Sequence, residues 1–197
     1  VTEFVDRLTG KQTIYQCMAL NDAVIQRGGK PREPLFYKNE YLRRLDSRIK
    51  DKKAGLANGT FPKEQATVKG AVNFLHALQK KEIKCFLASG TDEKDVKMEA
   101  SLLRVTDFFP GGIHGARDGL LDCSKEAVIK QLLEDENIQP EELVVFGDGY
   151  VEIELVSAVG GYAVGVATEE KSCEEVDEWK RARLLSAGAD MIIPNFD

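Results

Sequence analysis

The sequence predicts an α/β fold in which short parallel strands alternate with helices, preceded by a helical domain. From residue 64 onward, short apolar runs alternate with stretches whose apolar residues recur at helical spacing. This alternation is typical of a parallel sheet with helices on both faces. Before residue 64 no convincing strand pattern occurs. Residues 1–63 are therefore predicted to form a helical domain, and residues 64–197 an α/β core.

The helical domain is predicted to contain two helices. Apolar residues at helical spacing predict a first helix over residues 13–25, which Gly28-Gly29 ends. A strongly charged second helix is expected over residues 35–49. The charge run over residues 50–53 is interpreted as its solvated end.

The core is predicted to contain five short strands separated by helices. The predicted strands lie at 83–88, within 108–114, at 143–146, 162–166 and 191–193. The helices that alternate with them are expected near 70–78, 95–103, 125–133 and 153–159. A mixed-charge stretch around Trp179 is interpreted as a solvated helix that this residue anchors.

Composition excludes several classes of partner. The 197 residues are 43% hydrophobic and 30% charged, with a net charge of -6, and an acidic chain is a poor nucleic-acid partner. No apolar run approaches the roughly 18 residues of a membrane span, so no membrane is expected. The four cysteines are far apart in the sequence and form no metal or disulfide framework, which favours a cytoplasmic protein. The oligomeric state is not predicted.

The most informative motif is Gly147-Asp148-Gly149, which directly follows the apolar run 143–146. It predicts a sharp turn after a buried strand and places Asp148 and Glu152 just beyond the strand's carboxyl end. Ligands of open α/β sheets bind at this edge, and carboxylates there suit Mg²⁺. The alternative is an acidic turn that caps the next helix.

Two further segments lie at comparable places. Ser89-Gly90-Thr91 follows the predicted strand 83–88, where a hydroxyl and backbone N–H groups can hold a phosphate oxygen. The alternative is a helix N-cap, for which Ser and Thr are common. Lys125 is expected in the first turn of a helix that Ser124 caps. A cation is unfavourable there, so either it neutralises a phosphate or it is an exposed surface lysine.

Taken together, Ser89, then Lys125, then Asp148 with Glu152 resemble the motifs of the haloacid dehalogenase superfamily of phosphohydrolases. The helical domain resembles the cap of its phosphoglycolate-phosphatase-like members. The resemblance implies a Rossmann-like core with an α-helical cap and a Mg²⁺-dependent phosphatase acting on a small phosphorylated substrate. In such enzymes an Asp attacks the phosphoryl group and forms an aspartyl-phosphate that water hydrolyses.

The resemblance also implies residue roles. Ser89 would hydrogen-bond the phosphoryl oxygens, together with the backbone at Gly90 and Thr91, and Lys125 would stabilise their charge. Asp148 would bind Mg²⁺ directly, and Glu152 directly or through water, because family members often have Asp at that second position.

One family motif is missing. No two Asp residues of the chain are separated by a single residue, so the strand that ends in Asp-x-Asp and carries the nucleophile is not found. The chain begins at Val1 rather than Met, and this motif is expected upstream in a longer parent protein. Without it, residues 1–197 are expected to be inactive. The alternatives are a non-catalytic relative that binds a phosphorylated ligand or a protein partner, and a nucleotide-binding α/β domain, which the lack of glycine-rich nucleotide motifs disfavours.

Overall fold

The computed structural model describes Phe4, Leu8, residues 11–116 and residues 125–197, except for the side chain of Lys125. It confirms the α/β class, with parallel strands and intervening helices. The chain divides into two compact units, Val1–Pro62 and Lys63–Asp197. Within the described ranges, none of the helices has the length and apolar character needed to cross a bilayer.

The first unit contains helices α1 (Thr13–Gln26) and α2 (Pro34–Asn58), which pack against each other. Cys17 of α1 and Lys38 of α2 are among its buried residues. Burial raises the pKa of the Cys17 thiol, and the positive charge of Lys38 opposes this shift. The unit therefore has an interior that includes polar groups.

The predicted end of the second helix near residue 49 is wrong, because α2 continues to Asn58. Lys53 of the charge run forms an ion pair with Asp46 two turns earlier, at 3.3 Å. Gly55 is buried against Phe61, so the last turns are held by packing. The helix ends where Gly59 adopts a φ of 78°, a left-handed conformation that glycine tolerates.

The second unit contains the described strands and the remaining helices. In chain order these are α3 (Ala71–Lys80), β1 (Leu87–Asp92), α4 (Glu93–Leu102), β2 (Ile113–Ala116), α5 (Lys125–Glu136), β3 (Val144–Gly147), α6 (Tyr150–Val159), β4 (Tyr162–Val166), α7 (Glu178–Ser186) and β5 (Met191–Ile193). Short 3₁₀ helices lie at Lys63–Ala66, Thr106–Phe108 and Pro140–Glu142.

Every pairing between these strands is parallel, as predicted. Strand β1 pairs with β2, and β3, β4 and β5 form a second sheet in that order. In the described part of the chain, β1 and β3 do not pair with each other. The strands thus form two parallel sheets rather than one continuous sheet, and β1 and β3 each have one edge without a strand partner among the described residues.

The first two strands lie later in the chain than predicted. The first was expected at 83–88, but β1 begins at Leu87, whose N–H donates to the carbonyl of Gly112 at 3.0 Å. Strand β2 begins only at Ile113, because the Pro110-Gly111-Gly112 turn precedes it. In the segment 83–86, the Cys85 carbonyl accepts a hydrogen bond from the Gly111 N–H at 3.1 Å, but its partner is the Pro110-Gly111-Gly112 turn and not a strand.

Helices contact both faces of β3. Val145 packs against a buried cluster that includes Ile153 and Val156 of α6 and Leu184 of α7. The next residue, Phe146, contacts Phe74 of α3, with ring centroids 5.1 Å apart. Because successive side chains of a strand point to opposite faces, α3 lies on one face and the α6–α7 cluster on the other.

Gly115 of β2 is a position where a side chain has no room. A Cβ there would lie 2.6 Å from the backbone nitrogen of Glu93 and 2.8 Å from the carbonyl oxygen of Thr91. We expect Gly115→Ala to lower the free energy of unfolding by about 2–3 kcal/mol, because backbone atoms cannot move aside as a flexible side chain can. Urea denaturation measures this. Ala88→Val, at an exposed position of β1, is the control, and equal stability of the two variants would contradict the expectation.

Candidate functional site

The turn between β3 and α6 carries the two predicted metal ligands. Strand β3 ends at Gly147, and α6 begins at Tyr150, three residues earlier than the predicted helix start. Asp148 is exposed between them, and Glu152 lies half-buried in the first turn of α6. The structure thus has both carboxylates just beyond the carboxyl end of a parallel strand, where loops of such sheets bind ligands.

The glycines of this turn make room for Glu152. The Gly149 N–H donates to Oε1 of Glu152 at 3.1 Å, so the carboxylate folds back over the turn. A Cβ on Gly147 would overlap Cγ of Glu152, and one on Gly149 would lie 2.9 Å from Oε1. The helix-capping interpretation of Glu152 is therefore correct, because its Oε1 accepts the hydrogen bond of the N–H that precedes the helix. Oε2 takes no part in this hydrogen bond, and a carboxylate oxygen has two lone pairs, so the geometry allows contact with a metal directly or through water.

Ser89, Gly90 and Thr91 lie within β1 rather than after it, which corrects the expected position. Their strand is irregular: its pairing with β2 shifts between Ala88 and Asp92. Oγ of Ser89 accepts a hydrogen bond from the Thr91 N–H at 3.2 Å. Asp92, not Ser89, is the N-cap residue of α4, so the N-cap interpretation of Ser89 is wrong.

Lys125 is the first residue of α5, in agreement with its expected place in the first turn. Its side chain lies outside the described part of the structure, as does Ser124, the residue expected to cap the helix. The role of Lys125 as the phosphate-neutralising cation remains a prediction.

The structure brings Asp148 and Glu152 together in one turn but does not pair their strand with the strand of Ser89. Across residues 11–116 and 125–197, His, Cys, Asp and Glu form no group of three or more suited to hold a metal ion. Mg²⁺ is commonly held by one or two carboxylates, with waters and substrate phosphate oxygens completing the shell. A pair of carboxylates at an exposed turn fits that kind of site and does not form a closed protein cage.

Sequence analysis missed two residues beside this turn, Tyr150 and Arg183. Cζ of Arg183 in α7 lies 4.4 Å from the ring centroid of Tyr150, the first residue of α6. It also lies 5.3 Å from the ring centroid of Trp179, which is 54% exposed. The four-residue spacing of Trp179 and Arg183 is visible in the sequence, but the contact between helices is not.

The fold and this turn define a class, and comparison with known proteins identifies it. The family model described as haloacid dehalogenase-like hydrolase matches residues 19–160, which is more than half of the chain. The chain belongs to this family. The superfamily inferred from the order of the motifs is thereby confirmed. No curated protein sequence matches the chain.

Two solved structures agree on the fold. A β-phosphoglucomutase of Clostridium difficile matches with a TM-score of 0.65 and 14% identity, over 100% of this chain and 76% of its own. A haloacid dehalogenase-like protein of unknown function from Agrobacterium tumefaciens matches with a TM-score of 0.59 and 18% identity, over 92% and 73%. A hydrolase of the haloacid dehalogenase-like family from Streptococcus pneumoniae is 21% identical, with a TM-score of 0.45 over 62% of this chain. The chain spans about half of the length of that protein, 53%.

Proposed function

We propose that this protein is a Mg²⁺-dependent phosphatase that hydrolyses a small phosphorylated metabolite through an aspartyl-phosphate. The observation that carries the proposal is the turn after β3, where Asp148 and Glu152 lie together at the carboxyl end of a strand. Membership of the hydrolase family supports the reaction class. The exposure of Asp148 supports its role as the direct metal ligand, because an exposed carboxylate is accessible to a hydrated cation.

Each residue has a proposed role around the phosphoryl group. When bound, Mg²⁺ would neutralise charge on the phosphoryl oxygens and orient them for attack. Asp148 would hold the metal directly, and Glu152 would hold it directly or through a water of its shell. The Ser89 hydroxyl and the Gly90 N–H would donate hydrogen bonds to phosphoryl oxygens. The Thr91 N–H, which donates to Oγ of Ser89 in the structure, would join them on leaving that bond. Lys125 would stabilise the negative charge that develops during transfer.

The nucleophile is proposed to be an Asp outside residues 1–197, since no Asp-x-Asp occurs within them. Two features of the sheets support a further strand beside β3. In the described ranges, one edge of β1 and one edge of β3 have no strand partner. Val144 and Phe146 of β3 are 50% and 37% exposed, although apolar strand residues are usually covered.

The class of substrate is proposed from the helical unit, and the location from the cysteines. A small phosphorylated substrate is proposed because the helical unit resembles the caps of phosphoglycolate-phosphatase-like members of the family, and such caps exclude water and large ligands. A cytoplasmic location is proposed from the separated cysteines alone.

Phosphate release by the full-length protein tests the proposed reaction. With p-nitrophenyl phosphate and a panel of sugar phosphates, we expect turnover with Mg²⁺ and none with EDTA. Lys125→Ala should lower kcat by about 100-fold, because one charge that stabilises the transition state is lost. Lys130→Ala is the control on the same helix, where Lys130 forms an exposed ion pair with Glu126 at 2.7 Å. Equal activity of the two variants would remove Lys125 from the site.

The lack of Asp-x-Asp favours one alternative, a non-catalytic relative that binds a phosphorylated ligand or a protein partner. The intact mass of the purified protein distinguishes the two. A mass above the 21.9 kDa of these residues, with an Asp-x-Asp in the added segment, supports the phosphatase. A mass of 21.9 kDa, with binding of inorganic phosphate but no turnover, supports the alternative.

A further inference from the structure

We propose that Arg183 is a positioning residue that holds the carboxylate-bearing turn of α6 through the ring of Tyr150. The proposal deepens the proposed function and rests on it, because it concerns the metal ligands Asp148 and Glu152. It assigns Arg183 no contact with substrate.

Arg183 of α7 contacts the first residue of α6, Tyr150. Cζ of Arg183 lies 4.4 Å from the ring centroid of Tyr150 and 5.3 Å from that of Trp179. A guanidinium within about 6 Å of an aromatic ring centroid is attracted by the ring's negative face. Trp179 lies one turn before Arg183 in α7, so its ring restricts the conformations of the Arg183 side chain and favours the one that contacts Tyr150. Arg183 thus joins the start of α6 to α7.

Tyr150 lies between the two proposed metal ligands in the sequence. It is the first residue of α6 and lies two residues after Asp148 and two before Glu152. The Gly149 N–H to Glu152 hydrogen bond closes the same short segment. A contact that fixes the ring of Tyr150 therefore restricts the backbone between the two carboxylates.

The segment that joins Asp148 to Glu152 lies at the edge of the buried core. Ile153 and Val156 are fully buried, so α6 is anchored in the core from its second turn onward. Asp148 before it is exposed, and Tyr150 is half-buried. The first turn of a helix frays more readily than its middle, and a metal site requires its ligands within about 0.5 Å of their working positions. The contact with Arg183 acts on the first residue of α6, three residues before the fully buried Ile153.

Titration of the protein with Mg²⁺ alone, followed by calorimetry, tests the proposal. Arg183→Met keeps much of the side chain's length and removes the guanidinium, and Tyr150→Leu removes the ring. We expect each to raise the Mg²⁺ dissociation constant about threefold to tenfold. The double variant should bind no more weakly than either single variant, because both remove one interaction. Arg183→Lys, which keeps the charge, should restore most of the affinity.

The control is Arg181→Met on the same helix, since Arg181 pairs with Glu178 at the surface at 3.0 Å. It should leave the dissociation constant unchanged. Additive losses in the double variant, or no loss in Arg183→Met, would overturn the proposal. Tighter binding in Arg183→Met would also overturn it, because the guanidinium would then act by repelling the cation.

A parallel titration of Asp148→Asn separates this inference from the proposed function. Loss of Mg²⁺ binding in Asp148→Asn with no change in Arg183→Met contradicts the positioning role alone. Unchanged binding in Asp148→Asn contradicts the metal site itself and the positioning role with it.

Discussion

Asp148→Asn is expected to lower the proposed Mg²⁺-dependent phosphatase activity by at least about 100-fold. The substitution keeps the size of the side chain and removes its negative charge. Mg²⁺ prefers charged oxygen ligands, and the turn after β3 offers two carboxylates. Glu152 remains in the variant, but one carboxylate supplies less negative charge to the cation than the pair does. Steady-state kinetics at several Mg²⁺ concentrations measure the loss.

Glu154→Gln is the matched control, since Glu154 is an exposed carboxylate of the same helix. It should change activity by less than about twofold, as expected for surface substitutions. If excess Mg²⁺ restored the activity of Asp148→Asn completely, Asp148 would contribute affinity alone. Full activity at ordinary Mg²⁺ concentration would show that the metal is bound elsewhere.

Ile153→Ala is expected to be the most destabilising of the substitutions discussed, lowering the free energy of unfolding by about 3 kcal/mol. Ile153 is fully buried and packs in the cluster that joins β3, β4, α6 and α7. Truncation removes apolar contacts and leaves a cavity, because the surrounding side chains relax only partly. In a chain of this size, the loss corresponds to a decrease of roughly 6–12 °C in the unfolding midpoint. Calorimetry or circular dichroism measures it.

Two companion substitutions calibrate that result. Ile153→Val removes one methylene and should cost about 1 kcal/mol, whereas Met191→Ala, at a residue that is 48% exposed, should cost less. A similar loss in Ile153→Ala and Met191→Ala would mean that the cluster around Ile153 does not dominate the stability of the core.

The local structure of the turn that carries Asp148 and Glu152 was predictable because its signals are local. An apolar run followed by Gly147-Asp148-Gly149 determines a strand, a tight turn and a helix start within about ten residues. Glu152 lies four residues after Asp148, so helical geometry alone places the two carboxylates in one turn. The order of Ser89, Lys125 and Asp148 along the chain was sufficient to infer the family that the comparison confirmed.

Strand bounds were less predictable because pairing decides them. Residues 83–86 are predicted as strand, yet β1 begins at Leu87, because regular pairing begins at Leu87 with Ile113 and the residues before Ile113 form a Pro-Gly-Gly turn. Likewise, the charge run at 50–53 resembles a helix end, but Gly55 packs against Phe61 and extends α2 to Asn58. In both cases a contact with residues outside the predicted element decides where the element begins or ends.

The sequence by itself determined the alternation of strands and helices, the family and the turn that carries Asp148 and Glu152. These follow from periodicity and glycine placement, which act over a few residues. The tertiary structure decided which strands pair, the position of Ser89 inside an irregular strand, and the contact of Arg183 with Tyr150. Those features join residues that are distant in the chain, and packing geometry rather than local propensity selects them.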